Sequence, residues 1–218
     1  MFLGHYGVAF GAKRLSPSTS LGTFMLASQL IDLIWPVMLL TGLEEVRIAP
    51  GITLVTPLDF SHYPYTHSLL AVAVWAVIFG LLYYFWRRSH KASLILGMLV
   101  ISHWVLDLFV HRPDLALMPD AEQRYGFGLW NSYSATMTLE FGVFLLGVFL
   151  YVKGTRARDN RGRYLLPGMV VLLMAVYLAS VFGPPPPDAR AIAIAGLGQW
   201  LFVAAFYWID RHRRVYGH

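Results

Sequence analysis

The residues best suited to chemistry lie in the run Ser102-His103-Trp104-Val105-Leu106-Asp107-Leu108-Phe109-Val110-His111. His103, Asp107 and His111 are spaced i, i+4, i+8, so on an α-helix their side chains form one polar stripe on an otherwise apolar segment. Imidazole nitrogen and carboxylate oxygen are both good ligands for zinc, manganese or iron, and the stripe therefore suits a divalent transition metal. The competing reading is a hydrogen-bond network between helices.

Other polar groups fall where they are costly. Asp32 lies within Ser28-Gln29-Leu30-Ile31-Asp32-Leu33-Ile34-Trp35-Pro36. Pro36 has no N–H for the carbonyl of Asp32, so a kink is expected beside this carboxylate. Metal ligation and a structural pair with a buried histidine are its two readings. His67 closes the run His62-Tyr63-Pro64-Tyr65-Thr66-His67 and begins a helix, where Thr66 or Ser68 is placed to cap or orient it. His5 lies in the short apolar segment Gly4-His5-Tyr6-Gly7-Val8-Ala9-Phe10-Gly11, in which Gly7 and Gly11 form a small-xxx-small pair that permits close packing. Glu140 is the remaining acid in an apolar stretch, with general base, ligand and structural partner as its open roles. Arg112, Arg124 and His62 are candidates to bind an anionic substrate. His90, His212 and His218 stand among basic residues and read as solvated surface.

The elements that must position these groups follow from hydropathy. The chain has 218 residues, of which 57% are hydrophobic, 13% charged and none cysteine, and its mean hydropathy is +0.55. That balance excludes a water-facing globule, a disordered chain, a disulfide scaffold and thiolate metal sites. Six stretches, 18–40, 67–86, 92–110, 136–152, 165–183 and 191–209, match the roughly 17–25 apolar residues a bilayer-spanning helix needs. No alternation suited to a membrane barrel is present, so the expected fold is all-α: one integral membrane domain over 1–218, a polytopic bundle of about six transmembrane helices plus a short N-terminal half-helix. The first span is expected to serve as an uncleaved insertion signal. The loop 87–91 is minimal and makes its two flanking spans an antiparallel hairpin.

Basic residues set the orientation. Lys13 and Arg14, Arg87, Arg88 and Lys91, the five between 153 and 163, and Arg211, Arg213 and Arg214 all fall on one side, 13 of the 17 in the chain. Arg47, Arg112, Arg124 and Arg190 fall on the other. The positive-inside rule places both termini in the cytoplasm. Insertion topology and anionic lipid headgroups account for a pI of 9.6, which therefore implies no nucleic acid. Helical rise puts His5 about 12 Å above Lys13 and the cytoplasmic end of its half-helix. The same arithmetic raises Asp32 and His103 roughly 18–20 Å above their own cytoplasmic ends, so these groups can meet.

In Gly4-His5, Asp32, Tyr65-Thr66-His67-Ser68 and the stretch from Gly97 through Ser102-His103 to Asp107, residues 1–114 resemble the YdjM-like bacterial inner-membrane proteins, a family described as metal-dependent hydrolases. The family's Pro-Asp-x-Asp element becomes Ile31-Asp32-Leu33-Ile34, with one acid retained. Its His-Arg-Gly-x-Thr-His-Ser element becomes His62-Tyr63-Pro64-Tyr65-Thr66-His67-Ser68, without the Arg-Gly. The three spans of 136–209 contribute hydropathy alone. The resemblance implies a hydrolase of the bacterial inner membrane with His5, Asp32, His67, His103 and Asp107 around metal.

The expected activity is hydrolysis of a lipid or lipid-linked ester or phosphoester by metal-activated water. Asp32, His67, His103 and Asp107 would hold one or two ions, zinc being expected with manganese or iron as alternatives; His5 and His111 would complete a second ion or assist, and Glu140 would transfer protons. The alternatives are a transporter or channel with a His/Asp ion site, and a structural or regulatory membrane protein. For the topology, reporter fusions at Lys91 and at His218 should read cytoplasmic and one within loop 111–135 external; an external signal at His218 would refute the six-span arrangement.

Overall fold

The structure is a computed structural model that describes residues 1–119 and 121–216; His218 lies outside them. Its long helices begin where a short polar side chain can satisfy an orphan amide. These are α2 (Leu21–Thr41), α4 (Leu69–Arg87), α5 (His90–Val110), α6 (Tyr133–Gly154), α7 (Asn160–Phe182) and α8 (Ala189–Leu197). Ser20, Ser68, Ser89, Ser132, Asp159 and Asp188 each accept the backbone N–H three residues on, at 2.7–3.4 Å. Helix ends near a membrane need this, because orphan amides find little water there. It also explains why α6 and α7 start before the apolar stretches at 136 and 165: the cap, and not the first apolar residue, opens the helix.

All six expected spans are present. The last is divided by a turn at Gly198 into α8 and α9 (Gln199–Arg211). α2 runs through Pro36, whose ring lies where a side chain on Gly196 of α8 would have to go. The outer surface of the bundle is apolar, with Leu82, Met98 and Leu201 well exposed, while His5, His103, Asp107 and Glu140 are buried. This inversion of the soluble pattern is what a lipid solvent selects.

The short N-terminal helix α1 (Leu3–Ala12) is buried on nearly every face and packs chiefly on α2 and α6. Gly7 and Gly147 allow that contact: a Cβ on Gly147 would stand 1.9 Å from the carbonyl oxygen of Gly7. Gly11, the other member of the expected small-residue pair, meets only the side chain of Leu150 at 3.7 Å. At the basic end, Lys13 is tied to Asp210 at 3.0 Å and to the carbonyl of Thr19 at 2.7 Å. Asp210 also accepts the amide of Leu21 and the hydroxyl of Tyr151, which joins the α1–α2 connection to α6 and α9.

The opposite end is covered by two antiparallel pairs, β1 (Glu45–Ile48) with β2 (Leu58–His62) and β3 (Leu115–Ala116) with β4 (Arg124–Tyr125). A single-turn helix, α3 (Pro64–His67), enters α4 beneath them. At the basic end β5 (Thr155–Ala157) pairs with β6 (Arg213–Val215). Gly147→Val should displace α1 and destabilise the protein by about 1–3 kcal/mol, whereas Gly142→Ala, on the same helix with open space around it, should be neutral or slightly stabilising. Thermal unfolding in detergent compares the two.

Candidate metal centre

Four elements deliver the polar groups to one place. α1 brings His5, α2 brings Asp32, α3 ends on His67, and α5 carries His103 and Asp107 with His111 directly after its last turn. Ligand atoms of His5, His103 and Asp107 lie within 4.8 Å of one another, as do those of Asp32, His67 and His103. The i, i+4 register of α5 sets His103 Nε2 3.2 Å from Asp107 Oδ2, and His111 Nε2 lies 3.9 Å from the same oxygen. His67 Nε2 stands 3.6 Å from Asp32 Oδ1 and 3.9 Å from Asp107 Oδ2; His103 Nε2 is 3.5 Å from Asp32 Oδ1.

The far nitrogen of each of three imidazoles is committed elsewhere, and this settles which way the near one points. His103 Nδ1 lies 2.9 Å from the carbonyl oxygen of Ser28. A carbonyl only accepts, so Nδ1 carries the proton. His67 Nδ1 is 2.7 Å from Thr66 Oγ1, whose own proton goes to Glu44 Oε2 at 2.6 Å. His111 Nδ1 donates to Asp114 Oδ1 at 2.9 Å. Asp114 is held in turn by the hydroxyl of Tyr63 at 2.8 Å and by Arg112 Nε at 3.3 Å. Burial and the neighbouring Asp114 push the Tyr63 hydroxyl well above the usual phenol range, so it stays a donor. In the neutral imidazoles all three Nε2 lone pairs therefore face Asp32 and Asp107.

Lone pairs converging on carboxylates repel one another unless a cation lies among them. His103 Nε2 is buried beside two carboxylates and makes no hydrogen bond among the described residues. The 3.2–3.9 Å separations around it are close to the edge of a coordination shell: atoms about 2.0–2.1 Å from one zinc ion stand about 3.3 Å apart in a tetrahedron. Nitrogen and carboxylate donors with their outer nitrogens tied to a carbonyl, a hydroxyl and a carboxylate are the usual surroundings of a transition metal. The residues fit the ion expected from the sequence. On the far side of Asp107, His5 Nε2 lies 3.2 Å from Oδ1, and the α-amino group of Met1 touches the same oxygen. The His5 ring stacks on His103 with centroids 3.7 Å apart, and its Nδ1 is buried without a partner among the described residues.

Glu140 does not reach this cluster among the contacts of the described residues. Its two oxygens accept the amides of Phe2 and Gly4 at 2.9 and 2.8 Å, which fastens the start of α1 to α6. Arg112, Arg124 and His62 line a cavity of about 280 Å³ that also includes His67, Tyr63, Asp59 and Asp114. Arg112 pairs there with Asp59 and Asp114. His90 packs on Tyr84 and His212 pairs with Asp159, both away from the cluster. Thr66 and Ser68 divide the work foreseen for them: Thr66 orients His67 and Ser68 caps α4. Glu44, Asp114 and the Ser28 carbonyl escaped sequence reasoning, because two lie in loops with no periodicity and the third is a backbone atom.

The sequence profile of the YdjM inner membrane protein family matches residues 2–184, which extends past the motif-bearing first half through α7. No curated protein and no solved structure matches the chain.

Purified protein should retain about one or two equivalents of a transition metal. His103→Ala and Asp107→Ala should each lower that occupancy without preventing membrane insertion. Elemental analysis of the three proteins decides it, and full occupancy in both variants would remove α5 from the ligand set.

Proposed function

The chain belongs to the YdjM inner membrane protein family, and from that premise we propose that it is a membrane-embedded metal-dependent hydrolase of a lipid or lipid-linked ester or phosphoester. One observation carries the reading: His67, His103 and His111 turn their Nε2 atoms toward Asp32 and Asp107 at 3.2–3.9 Å, spacings suited to a shared cation. Asp32, His67, His103 and Asp107 hold the ion. His5 and His111 stand at either side of Asp107, where they complete its surroundings or those of a second ion. Zinc suits this donor set, as do manganese and iron. The chemistry such a cation supplies when bound is acidification of water toward a pKa of ~7 and polarisation of the scissile oxygen.

The chain's own residues supply the rest. His5 presents an unpartnered Nδ1 beside the cluster and is the group we assign to proton transfer, with Glu140 holding α1, and so His5, in place. In the outer cavity Arg124 and His62 offer positive charge and hydrogen bonds to an anionic headgroup, and Arg112 joins them from its pairs with Asp59 and Asp114. His67 is common to cavity and cluster, so a headgroup seated there meets the ligands directly. Asp32 is the least enclosed ligand, with 20% of its side chain exposed. It lies near the middle of α2, a depth that suits a substrate arriving from lipid. Both termini face the cytoplasm in this reading, and the site lies toward the outer leaflet.

Hydrolysis of a chromogenic phosphoester or ester by purified protein should disappear with chelator and return with zinc or manganese. Asp32→Asn keeps size and most hydrogen bonding but removes charge, and should lose at least about tenfold in turnover, as removal of a metal-site group does. Wild-type turnover in that variant at unchanged metal content would sink the catalytic assignment, and metal flux in proteoliposomes without hydrolysis would favour a transporter.

A further inference from the structure

We infer that Glu44 is a positioning residue that selects the tautomer of His67 through Thr66, an inference that rests on the reading of His67 as a metal ligand. Glu44 is 2% exposed and uses both oxygens. Oε1 accepts the amides of Tyr65 and Thr66, each at 2.8 Å, and Oε2 accepts the Thr66 hydroxyl at 2.6 Å. The Thr66 hydroxyl has a single proton, and giving it to Glu44 leaves only an acceptor for His67, 2.7 Å away. Nδ1 of His67 must then be the protonated nitrogen, and Nε2 keeps the lone pair that ligation requires.

The placement of Glu44 follows from the end of α2. Gly42 adopts φ 74°, a left-handed conformation that suits glycine. The amides of Leu43 and Glu44 then turn back to the carbonyl of Met38, at 3.0 and 3.2 Å. The helix that carries Asp32 thus ends by delivering a second carboxylate to the back of His67. One helix supplies a ligand of the cluster and the group that orients another.

The hydrogen-bond polarity makes an isosteric substitution informative. In Glu44→Gln the atom facing the two amides must remain oxygen, so the amide NH2 faces Thr66. Thr66 then accepts from residue 44 and donates to His67 Nδ1, which forces the proton onto Nε2. The expected result is a switch of His67 from the Nδ1–H to the Nε2–H tautomer, read from imidazole ¹⁵N shifts of the metal-free protein in detergent, with cobalt(II) affinity falling about 10–100-fold. A Glu44 that only braced the loop would lower thermal stability and leave the tautomer unchanged. An Nδ1–H tautomer that persists in Glu44→Gln overturns the inference. Should that variant fail to fold, Thr66→Val must weaken cobalt binding by a similar factor while Thr66→Ser, which keeps the hydroxyl, retains wild-type affinity; equal affinity in all three proteins overturns it as well. A wild-type protein that binds no cobalt overturns the metal reading, and the ¹⁵N shifts still decide whether Glu44 sets the tautomer.

Discussion

Two carboxylates, Asp107 buried and Asp32 partly so, are held among apolar helices where little water reaches them, and much of the architecture follows from that constraint. A buried charge without compensation costs several kcal/mol. Four imidazoles and the Met1 amino group approach Asp32 and Asp107, but His67, His103 and His111 spend their protons in the opposite direction, on Thr66, Ser28 and Asp114. The cluster is thus organised with donors outside and lone pairs inside. In a low-dielectric interior that polarity favours a cation at the centre.

Holding the groups together requires α1 to enter the bundle without crossing it. A ten-residue helix is too short to span, and its first amides would be orphaned in the interior. Glu140 accepts two of them, from Phe2 and Gly4. Gly7 and Gly147 remove the side-chain volume that would otherwise separate α1 from α6. Lys13, buried and paired with the half-buried Asp210, fixes the other end. His5 reaches Asp107 because both ends of this short helix are secured by residues more than a hundred positions away.

The loop cover over the cluster has a comparable role. The loop after α2 and the loop after α5 look like linkers, yet each returns a carboxylate behind a cluster histidine: Asp114 directly to Nδ1 of His111, and Glu44 through the Thr66 hydroxyl to Nδ1 of His67. Tyr63 and Arg112 hold Asp114, and the same residues border the cavity that opens onto His67. The cavity lining and the histidine orientation therefore share one set of side chains. A change in that cavity is expected to reach the cluster through these hydrogen bonds.

The amino-acid sequence by itself determined the spans, the half-helix and the stripe of His103, Asp107 and His111, because hydropathy and helical periodicity are local properties of the chain. It also singled out Asp32, His67 and His5, since ionisable groups in apolar runs are costly wherever they end up. Their convergence was decided by tertiary structure, which alone brings residue 5 to residues 103 and 107, and residues 32 and 67 to residue 103, within ligand distance. The same holds for Glu140, whose position among the apolar residues of α6 does not distinguish a proton carrier from a clasp on the amides of α1. Glu44 and Asp114 left no pattern to find, and the break at Gly198 is masked by the continuous hydropathy of 191–209. Which nitrogen of a histidine carries its proton depends on partners contributed by other elements, such as Ser28 to His103 across 75 residues, and no local pattern encodes a hydrogen bond between segments that only packing makes neighbours.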